Sequence, residues 1–502
     1  MQKSAQELYE QFEAKMKQKA DVEYSIGVLS WDKEVNMPPA GANFRSQQIA
    51  TLAGIAHELF TNAEFSDLLG EVATQKEELA PKASKNIELT LKDHKRVTRF
   101  DQAFVMRRSM ACSKAYDAWL KARAANDYQL FQEALGEVVA IKREEAELLG
   151  YEAHPYDALL EEFEPGYTAA MLDELFADVK AKLVGFVREI REKSAISNDF
   201  LHKSYPKQQQ WDFSIFLLEK LGYDFQSGRQ DWSPHPFTIN FSPKDVRVTT
   251  RVDENDLANL LWSSIHECGH ALYEQGLPAE MYGLPLGRHI SLGIHESQSR
   301  LWENNVGRSL DFWRAYYPEL QKAFGEQLKS VSVEQFYAGI NKIETGLIRT
   351  EADELHYHFH VLIRYELEKE LIEGILEVKD LEAAWNERYK AYLDVDVSDA
   401  KRGVLQDVHW SYGNIGYFPT YSLGSFYAAQ FFQQAGKEIP NLKQQIQQGN
   451  TTTLLKWLQE NIYQEGRSYT AKELCEKLTG EPLNFDYFYQ YALEKYKGLY
   501  AL

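Results

Sequence analysis

Helical periodicity is the feature that most restricts how this chain can fold. Apolar residues recur every three or four positions, with charged residues between them, over residues 3–20, 45–60, 102–149 and 168–194. This spacing is typical of helices that bury one face. The prolines cluster in connecting segments such as NMPPAGAN at 36–43, and no Pro/Ser-rich linker divides the chain. We therefore predict one mostly α-helical unit.

A single region favours β-structure. The segments PFTINF at 236–241 and VRVTTRV at 246–252 carry alternating Val, Ile, Thr and Phe, and SPKD between them is typical of a turn. These segments predict a small β-hairpin. The apolar pattern then predicts further helices over about 254–275, 294–307 and 333–373.

The last of these predicted helices has recognisable ends. Ser332 and Gln335 fit a capping box at its start, and Gly374 favours its termination. Arg349 would then lie within a long amphipathic helix, with Asp353 four residues further along. Further on, GNIGYFPTYSLG at 413–424 is rich in glycine and aromatic residues and is predicted to be a loop.

The sequence His-Glu-Cys-Gly-His at 266–270 places two histidines four positions apart on a predicted helix. His266 and His270 would share one face, where two imidazoles can bind one Zn²⁺. Glu267 is rotated by about 100° and would not bind the same ion. It could instead take a proton from a water molecule at the open coordination position. The motif predicts a catalytic metal site with Glu267 as general base.

A catalytic zinc ion commonly has three protein ligands. The stretch HECGHALYEQG lacks a third histidine at the position that the longer HExxHxxGxxH pattern requires, so a carboxylate from another helix is expected. Glu296 is the best candidate, since it follows His270 by 26 residues, enough for a loop and a returning helix. Glu274 and Glu303 are alternatives, and Glu303 could instead orient a ligand.

Composition and charge restrict the partners and the compartment. Lys and Arg number 55 against 75 Asp and Glu, which gives a formal charge of −20 and disfavours nucleic acid as a partner. The three cysteines form no CxxC pair, as expected in a reducing compartment. Residues 1–18 are charged throughout, unlike a signal peptide, and no apolar run is long enough to span a membrane. We predict a cytoplasmic protein that binds neither nucleic acid nor membrane.

Six motifs in order resemble those of the carboxypeptidase Taq family of thermostable metallocarboxypeptidases. Each agrees with the family at its motif positions, and the resemblance extends along most of the chain. The motifs are HPF at 235–237, DVRVT at 245–249, HECGH at 266–270, HESQ at 295–298, IRTEAD at 348–353 and GVLQDVHW at 403–410.

The resemblance implies an enzyme that uses zinc, or cobalt in its place, to remove single residues from peptide C-termini with broad specificity. It implies a neurolysin-like helical fold with a deep groove, a homodimer, and Glu296 as third metal ligand. Within a single unit 1–502, we expect a helical wall or lid at 1–230, a metal-binding and substrate-binding core at 231–424, and a C-terminal helical region at 425–502.

A carboxypeptidase must bind a free carboxylate, which arginine does through two parallel hydrogen bonds. Arg349 in the IRTEAD motif is the first candidate, although an ordinary helix ion pair with Asp353 is the alternative. Arg247 on the second strand is the rival, and it could simply pair with Asp245. The HPF match places His235 among the expected substrate-binding residues.

The tetrahedral intermediate of peptide hydrolysis needs a hydrogen-bond donor besides the metal. His409 is a candidate, with a buried structural role as its alternative. Tyr412, Tyr417 and Tyr421 are further candidates, and analogy with related groove-shaped peptidases favours Tyr421. The histidines of HYHFH at 356–360 lack a following glutamate, so structural or groove-lining roles are expected for them.

Three other functions fit parts of this pattern. A dipeptidyl carboxypeptidase or oligopeptidase would share the metal site but bind the substrate carboxylate elsewhere. An aminopeptidase would bind the amino end, usually through acidic residues. A helical peptide-binding scaffold with a structural metal would keep the two histidines. It would hydrolyse nothing and would therefore not need Glu267.

Overall fold

Helices make up most of the chain, as the periodicity predicts. The computed structural model describes residues 3–193 and 195–502, so Ser194, the end of one predicted helical segment, lies outside the described residues. Before the sheet, helices α1 to α9 span Ala5–Val35, Ala42–Thr61, Ala63–Thr74, Pro81–Val97, Gln102–Ala125, Gln129–Leu149, Pro155–Leu160, Ala169–Arg191 and Lys207–Leu221. After it, α10 to α21 span Leu257–Gly276, Leu292–Arg300, Leu310–Ala323, Gly325–Leu328, Val333–Ile340, His356–Glu373, Leu381–Leu393, Pro419–Glu438, Leu442–Gln447, Thr452–Asn461, Ala471–Thr479 and Asp486–Tyr500.

The predicted hairpin is present and belongs to a three-stranded sheet. The strands are β1 (Gly228–Trp232), β2 (Thr238–Ser242) and β3 (Asp245–Thr250), in the order β1-β3-β2. β2 pairs antiparallel with β3, whereas β1 pairs with β3 in parallel. The sequence analysis missed β1, because its residues GRQDW are mostly polar and lack the apolar alternation of a strand.

The predicted long helix over 333–373 is wrong in its middle. Its capping box at Ser332 and its end at Gly374 are both present, but α14 stops at Ile340 and α15 starts at His356. Between them, backbone N–H groups are taken by distant side chains: Ile343 donates to the Tyr500 hydroxyl at 2.8 Å and Arg349 to Gln406 Oε1 at 2.9 Å. These tertiary hydrogen bonds replace the helical ladder and place Arg349 on an isolated helical turn.

The predicted loop over 413–424 also needs correction. Residues 413–418 are non-helical, and Gly413 and Gly416 have positive φ angles of 72° and 102°. Pro419 then occupies the first position of α17, where its fixed φ suits a helix and its missing N–H costs nothing. Tyr421 therefore lies on the first turn of a largely buried helix and not in a loop.

Three helices meet at close range around the HECGH motif. A Cβ atom at Gly269 of α10 would lie 2.6 Å from Ser299 Cα, and one at Gly424 of α17 would lie 2.5 Å from Glu296 Cγ. Only glycine permits such close approach at both positions. The two glycines therefore bring α10 and α17 against α11, the helix that carries the HESQ motif.

A smaller apolar cluster joins the N-terminal helices to the rest of the chain. Side chains of α1, α2, α3 and α4 pack together with Leu284, apart from the large core that surrounds α10, α11, α15 and α17. Among the described residues, none of the helices has the length and apolar character required to cross a membrane.

Candidate active site

Helix α10 presents its two histidines at the edge of the core. Asp256 caps the helix by accepting a hydrogen bond from Ala258 N at 3.0 Å, and an apolar face that includes Ile265 is fully buried. The His266 and His270 side chains stay partly exposed at 20% and 14%. They are therefore held on a rigid helix and still reachable from solvent.

Each histidine is oriented through its Nδ1 atom. His270 Nδ1 lies 3.1 Å from the His295 carbonyl oxygen, and because a carbonyl only accepts, this nitrogen carries the proton. His266 Nδ1 lies 2.9 Å from Glu303 Oε2. Both contacts leave Nε2 as the nitrogen free to bind a metal, an arrangement common among metal-binding histidines.

Glu296 on α11 completes a group of three potential ligands. Its Oε2 atom lies 3.7 Å from His266 Nε2 and 3.4 Å from His270 Nε2. Ligands about 2.0–2.1 Å from a tetrahedral zinc ion are separated by roughly 3.3 Å, so the observed spacings fit a small divalent cation. Two imidazoles and a carboxylate are a donor set found in catalytic zinc sites.

Two arginines and Glu303 support these ligands from behind. Arg300 Nε donates to Glu296 Oε1 at 2.7 Å, and Arg300 Nη1 donates to Glu303 Oε2 at 3.2 Å. Arg308 Nη2 donates to the other oxygen of Glu303 at 3.2 Å. Although burial raises the pKa of Glu296, the charges of Arg300 and the histidines outweigh it and hold the pKa well below its usual range. Both carboxylates are therefore ionised.

Glu267 lies beside the metal ligands and is 7% exposed. The Thr238 hydroxyl, on β2, lies 2.6 Å from Glu267 Oε2, so the sheet fixes the orientation of this carboxylate. Burial raises the pKa of Glu267, and the neighbouring His266 and Thr238 partly offset this effect. A buried, oriented carboxylate of raised basicity is suited to accept a proton.

The alternative ligand Glu274 faces away from this group. Its Oε1 atom accepts from His295 Nε2 at 2.8 Å and faces His289 Nδ1 at 3.3 Å, while its Oε2 atom accepts from the Asn240 amide. Glu303 also fails to face the Nε2 atoms, because it binds His266 through Nδ1. Glu296 is thus the only one of the three that converges on both Nε2 atoms.

Arg349 lies in a buried charged cluster. Asp407 Oδ1 accepts from Arg349 Nη2 at 2.8 Å, and Asp407 Oδ2 accepts from Arg364 Nε at 2.6 Å. Arg349 does not pair with Asp353, which binds His356 Nδ1 at 2.6 Å instead. One carboxylate thus neutralises two guanidinium groups incompletely, which leaves an excess positive charge beside Arg349.

Tyr357 connects this cluster to the metal ligands. Arg349 Nη1 donates to the Tyr357 hydroxyl at 3.1 Å, and the Arg300 guanidinium stacks over the Tyr357 ring, 4.3 Å from its centre. Because Arg300 also holds Glu296, a continuous set of contacts runs from the third ligand to Arg349. The sequence analysis did not select Tyr357 or Arg300, although Arg300 stands four residues after Glu296 on the same helix.

Arg247 and His235 differ in their surroundings. Arg247 makes two hydrogen bonds of 2.8 Å to Asp245 and stacks 4.3 Å from the centre of the Trp31 ring. Its charge is therefore balanced within the hairpin. His235 is exposed in the segment between β1 and β2, three residues before Thr238. It belongs to the loop that leads into the strand contacting Glu267.

His409 and Tyr421 form a hydrogen-bonded pair. His409 Nε2 lies 3.0 Å from the Tyr421 hydroxyl, and burial lowers the pKa of His409 to about 3, so the imidazole is neutral. Burial raises the pKa of Tyr421, so its phenol keeps its proton. The Arg349 guanidinium stacks 4.7 Å from the centre of the Tyr421 ring. The pair therefore borders the same charged cluster.

The remaining tyrosine and histidine candidates differ in their exposure and in their partners. Tyr417 packs beside Tyr421 with ring centres 5.3 Å apart, whereas Tyr412 is 49% exposed and stacks on Tyr116. The three histidines of residues 356–360 are at most 1% exposed, and each binds an internal partner: Asp353, Ser422 and Tyr389, respectively.

A His/His/Glu group with a buried glutamate directly after the first histidine defines a metallopeptidase of the HExxH class. Comparison with protein families matches residues 11–496 to the carboxypeptidase Taq (M32) metallopeptidases. The chain belongs to this family and is a metallocarboxypeptidase.

Individual relatives match over nearly the whole chain. Thermostable carboxypeptidase 1 of Thermus thermophilus is 39% identical, covering 95% of this chain and 96% of its own. Carboxypeptidase 1 of Bacillus subtilis is 36% identical over the same shares. The crystal structure of an M32 carboxypeptidase from Deinococcus radiodurans superposes with a TM-score of 0.96 at 37% identity, covering 99% of this chain and all of that one.

Proposed function

We propose that this metallocarboxypeptidase uses zinc to release single amino acids from the C-termini of peptides with broad specificity. A zinc ion in a site of this type lowers the pKa of a bound water and polarises a carbonyl group. His266, His270 and Glu296 would hold it. Cobalt, which accepts the same ligand types, is expected to replace zinc.

Glu267 supplies the proton transfers. Its carboxylate takes a proton from the attacking water and delivers it to the nitrogen of the departing residue. The hydrogen bond from Thr238 keeps the carboxylate in one orientation during both transfers. Tyr421, hydrogen-bonded to His409, donates to the substrate carbonyl oxygen as negative charge develops there.

The observation that carries the specificity for C-termini is the incompletely neutralised arginine cluster. Two buried guanidinium groups share the single carboxylate of Asp407. Asp407 carries one negative charge against the two positive charges of Arg349 and Arg364, so the cluster favours an arriving anion. Of the two arginines, Arg349 is the one that contacts Tyr357, whose ring packs against the Arg300 that holds Glu296. We therefore assign Arg349 to the binding of the substrate carboxylate. We call the arginine that binds the substrate carboxylate the clamp. Arg247 is the less favoured clamp because Asp245 already neutralises it.

The clamp is tested with one peptide prepared as a free acid and as a C-terminal amide. A hydrogen bond to a charged group contributes about 1.5–3 kcal/mol, so Arg349→Ala should lower kcat/KM on the acid roughly 10- to 150-fold. The amide should be a poor substrate for the parent, and its kcat/KM should fall far less in Arg349→Ala. Arg349→Lys should recover only part, because an ammonium cannot form the paired hydrogen bonds.

Arg247→Ala is the matched control. If the preference for the acid survives in Arg349→Ala and disappears in Arg247→Ala, the clamp lies on β3. If the parent shows no preference, an oligopeptidase replaces the proposed function. His235→Ala tests the loop before β2 in the same assay, and a raised KM with unchanged kcat would support its contact with substrate.

We also propose that the enzyme works in the cytoplasm as a homodimer. Cys112, Cys268 and Cys475 are all free thiols, which supports the cytoplasm as the working compartment. The homodimer is supported only by the resemblance to the family, and sedimentation equilibrium of the purified protein tests it.

A further inference from the structure

We propose that Glu274, His289 and His295 form a second binding site for a divalent transition-metal ion, separate from the catalytic group. One ligand atom from each of the three side chains lies within 4.8 Å of the others. Two imidazoles and a carboxylate are ligands that suit zinc and its neighbours in the first transition row.

The second group resembles the catalytic one in the way its carboxylate is held, although its oxygen lies at hydrogen-bond distance from His295. In the catalytic group, Arg300 holds one oxygen of Glu296 and the other oxygen faces two imidazoles. In the second group, the Asn240 amide holds Glu274 Oε2, and Oε1 faces His295 at 2.8 Å and His289 at 3.3 Å. Each carboxylate is thus fixed by one oxygen and offers the other.

The charge balance around Glu274 favours the binding of a cation. Glu274 is 4% exposed, and among the described residues its ion-pair partners are histidines alone. The two buried carboxylates that form ion pairs with His266 or His270 differ, since Glu296 also pairs with Arg300 and Glu303 with Arg300 and Arg308. A buried carboxylate is stable when a cation or a metal accompanies it. A divalent ion at Glu274 would supply the charge that arginine supplies to the others.

Access and ligand protonation are compatible with an ion. The His289 side chain is 38% exposed, so an ion can enter from solvent and keep water in its open positions. Each imidazole becomes a ligand when the proton on the nitrogen facing Glu274 moves to the other ring nitrogen. No net charge is then placed on either ring.

The second site adjoins the catalytic one through His295. The His295 carbonyl accepts the hydrogen bond from His270 Nδ1, and the two rings stack with centres 4.5 Å apart. Glu274 follows His270 by four residues on α10, an axial rise of about 6 Å. The contact to His270 comes from the backbone of His295, so the imidazole of His295 remains available to the second ion.

Metal content of the full chain tests the proposal. Chelator-treated protein is equilibrated by dialysis against zinc, and bound zinc is counted by mass spectrometry. The parent should bind two ions per chain. His289→Ala and Glu274→Gln should each bind one and retain peptide hydrolysis, whereas Glu296→Gln should bind one and lose it. His202→Ala, which removes an exposed histidine elsewhere, should bind two.

Two results would overturn the second site. One is a parent that binds a single ion at saturation. The other is a second ion that persists in both His289→Ala and Glu274→Gln. Because hydrolysis is followed in the same samples, failure of the second site remains distinct from failure of the catalytic one.

Discussion

Arg300 Nε lies 2.7 Å from the Oε1 atom of Glu296, and this contact leaves only Oε2 directed at the two histidines. The arginine thereby selects which oxygen binds the metal. It also donates to Glu303, which orients His266. One side chain thus positions two of the three ligands.

Removing that arginine should weaken the catalytic metal site. Hydrogen-bond partners of metal ligands commonly contribute 10- to 100-fold to affinity, so Arg300→Met should raise the zinc Kd by about that factor. Arg300→Lys keeps the positive charge but cannot donate to both glutamates as the guanidinium does. We therefore expect its zinc affinity to lie between those of the parent and Arg300→Met. Competition with a coloured chelator gives the Kd. Equal affinity in parent and Arg300→Met would mean that the arginine serves packing alone.

Two variants test whether Glu296 or Glu274 is the third ligand of the catalytic metal. Glu296→Gln should lose catalytic zinc and hydrolysis together, since a neutral amide is a poor zinc ligand. Glu274→Gln should keep hydrolysis, because its carboxylate faces His289 and His295. Activity measured during zinc titration of both variants decides between them. Loss of hydrolysis in Glu274→Gln with retention in Glu296→Gln would reverse the assignment.

His409 and Tyr421 should act as one unit. Removing a donor to a developing oxyanion lowers kcat by about 10²–10³, so His409→Ala and Tyr421→Phe should each have an effect of this size with little change in KM. The double variant should be scarcely worse than either single one, because the two groups share one hydrogen bond. Multiplicative losses would show that they work separately, and an unchanged kcat in folded His409→Ala would restrict it to a structural role.

Glu164 should make stability depend on pH. It is fully buried, accepts from Ser291 Oγ at 2.9 Å and Gly293 N at 2.8 Å, and burial raises its pKa to about 7. The folded state then keeps a proton that the unfolded chain loses near pH 4.3. Its contribution is complete at low pH, and about 4 kcal/mol of it is lost as pH rises from about 4 through about 7.

The variant Glu164→Gln should remove that dependence. Compared with the parent, its free energy of unfolding in urea should fall less between about pH 5 and about pH 8. Glu162→Gln, an exposed neighbour, is the control and should follow the parent. A Glu164→Gln variant with the parent's pH dependence would assign the effect to other groups.

Local patterns in the sequence predicted the parts of the site that lie on single elements. The spacing of His266 and His270 fixes their common face on α10, and alternation predicted β2 and β3. The capping residues Ser332 and Gly374 were also recognisable, since their roles depend on neighbours within a few positions.

Features that depend on distant partners were not predictable in this way. Arg349 leaves the helical pattern because Gln406 and Asp407, more than fifty residues away, bind its backbone and side chain. Strand β1 forms through parallel pairing with β3 and not through its own apolar alternation. Tyr357 acquires its position only when α15 packs beside Arg300.

Product analysis of one peptide tests the central claim most directly. A peptide blocked at its N-terminus, with a free C-terminal carboxylate, is digested by zinc-loaded parent and by Glu267→Gln, and the products are weighed by mass spectrometry. The account predicts a ladder in which each product is one C-terminal residue shorter, and no products from Glu267→Gln, which should still bind zinc. Release of dipeptides or internal fragments by the parent, or an unchanged ladder from Glu267→Gln, would contradict it.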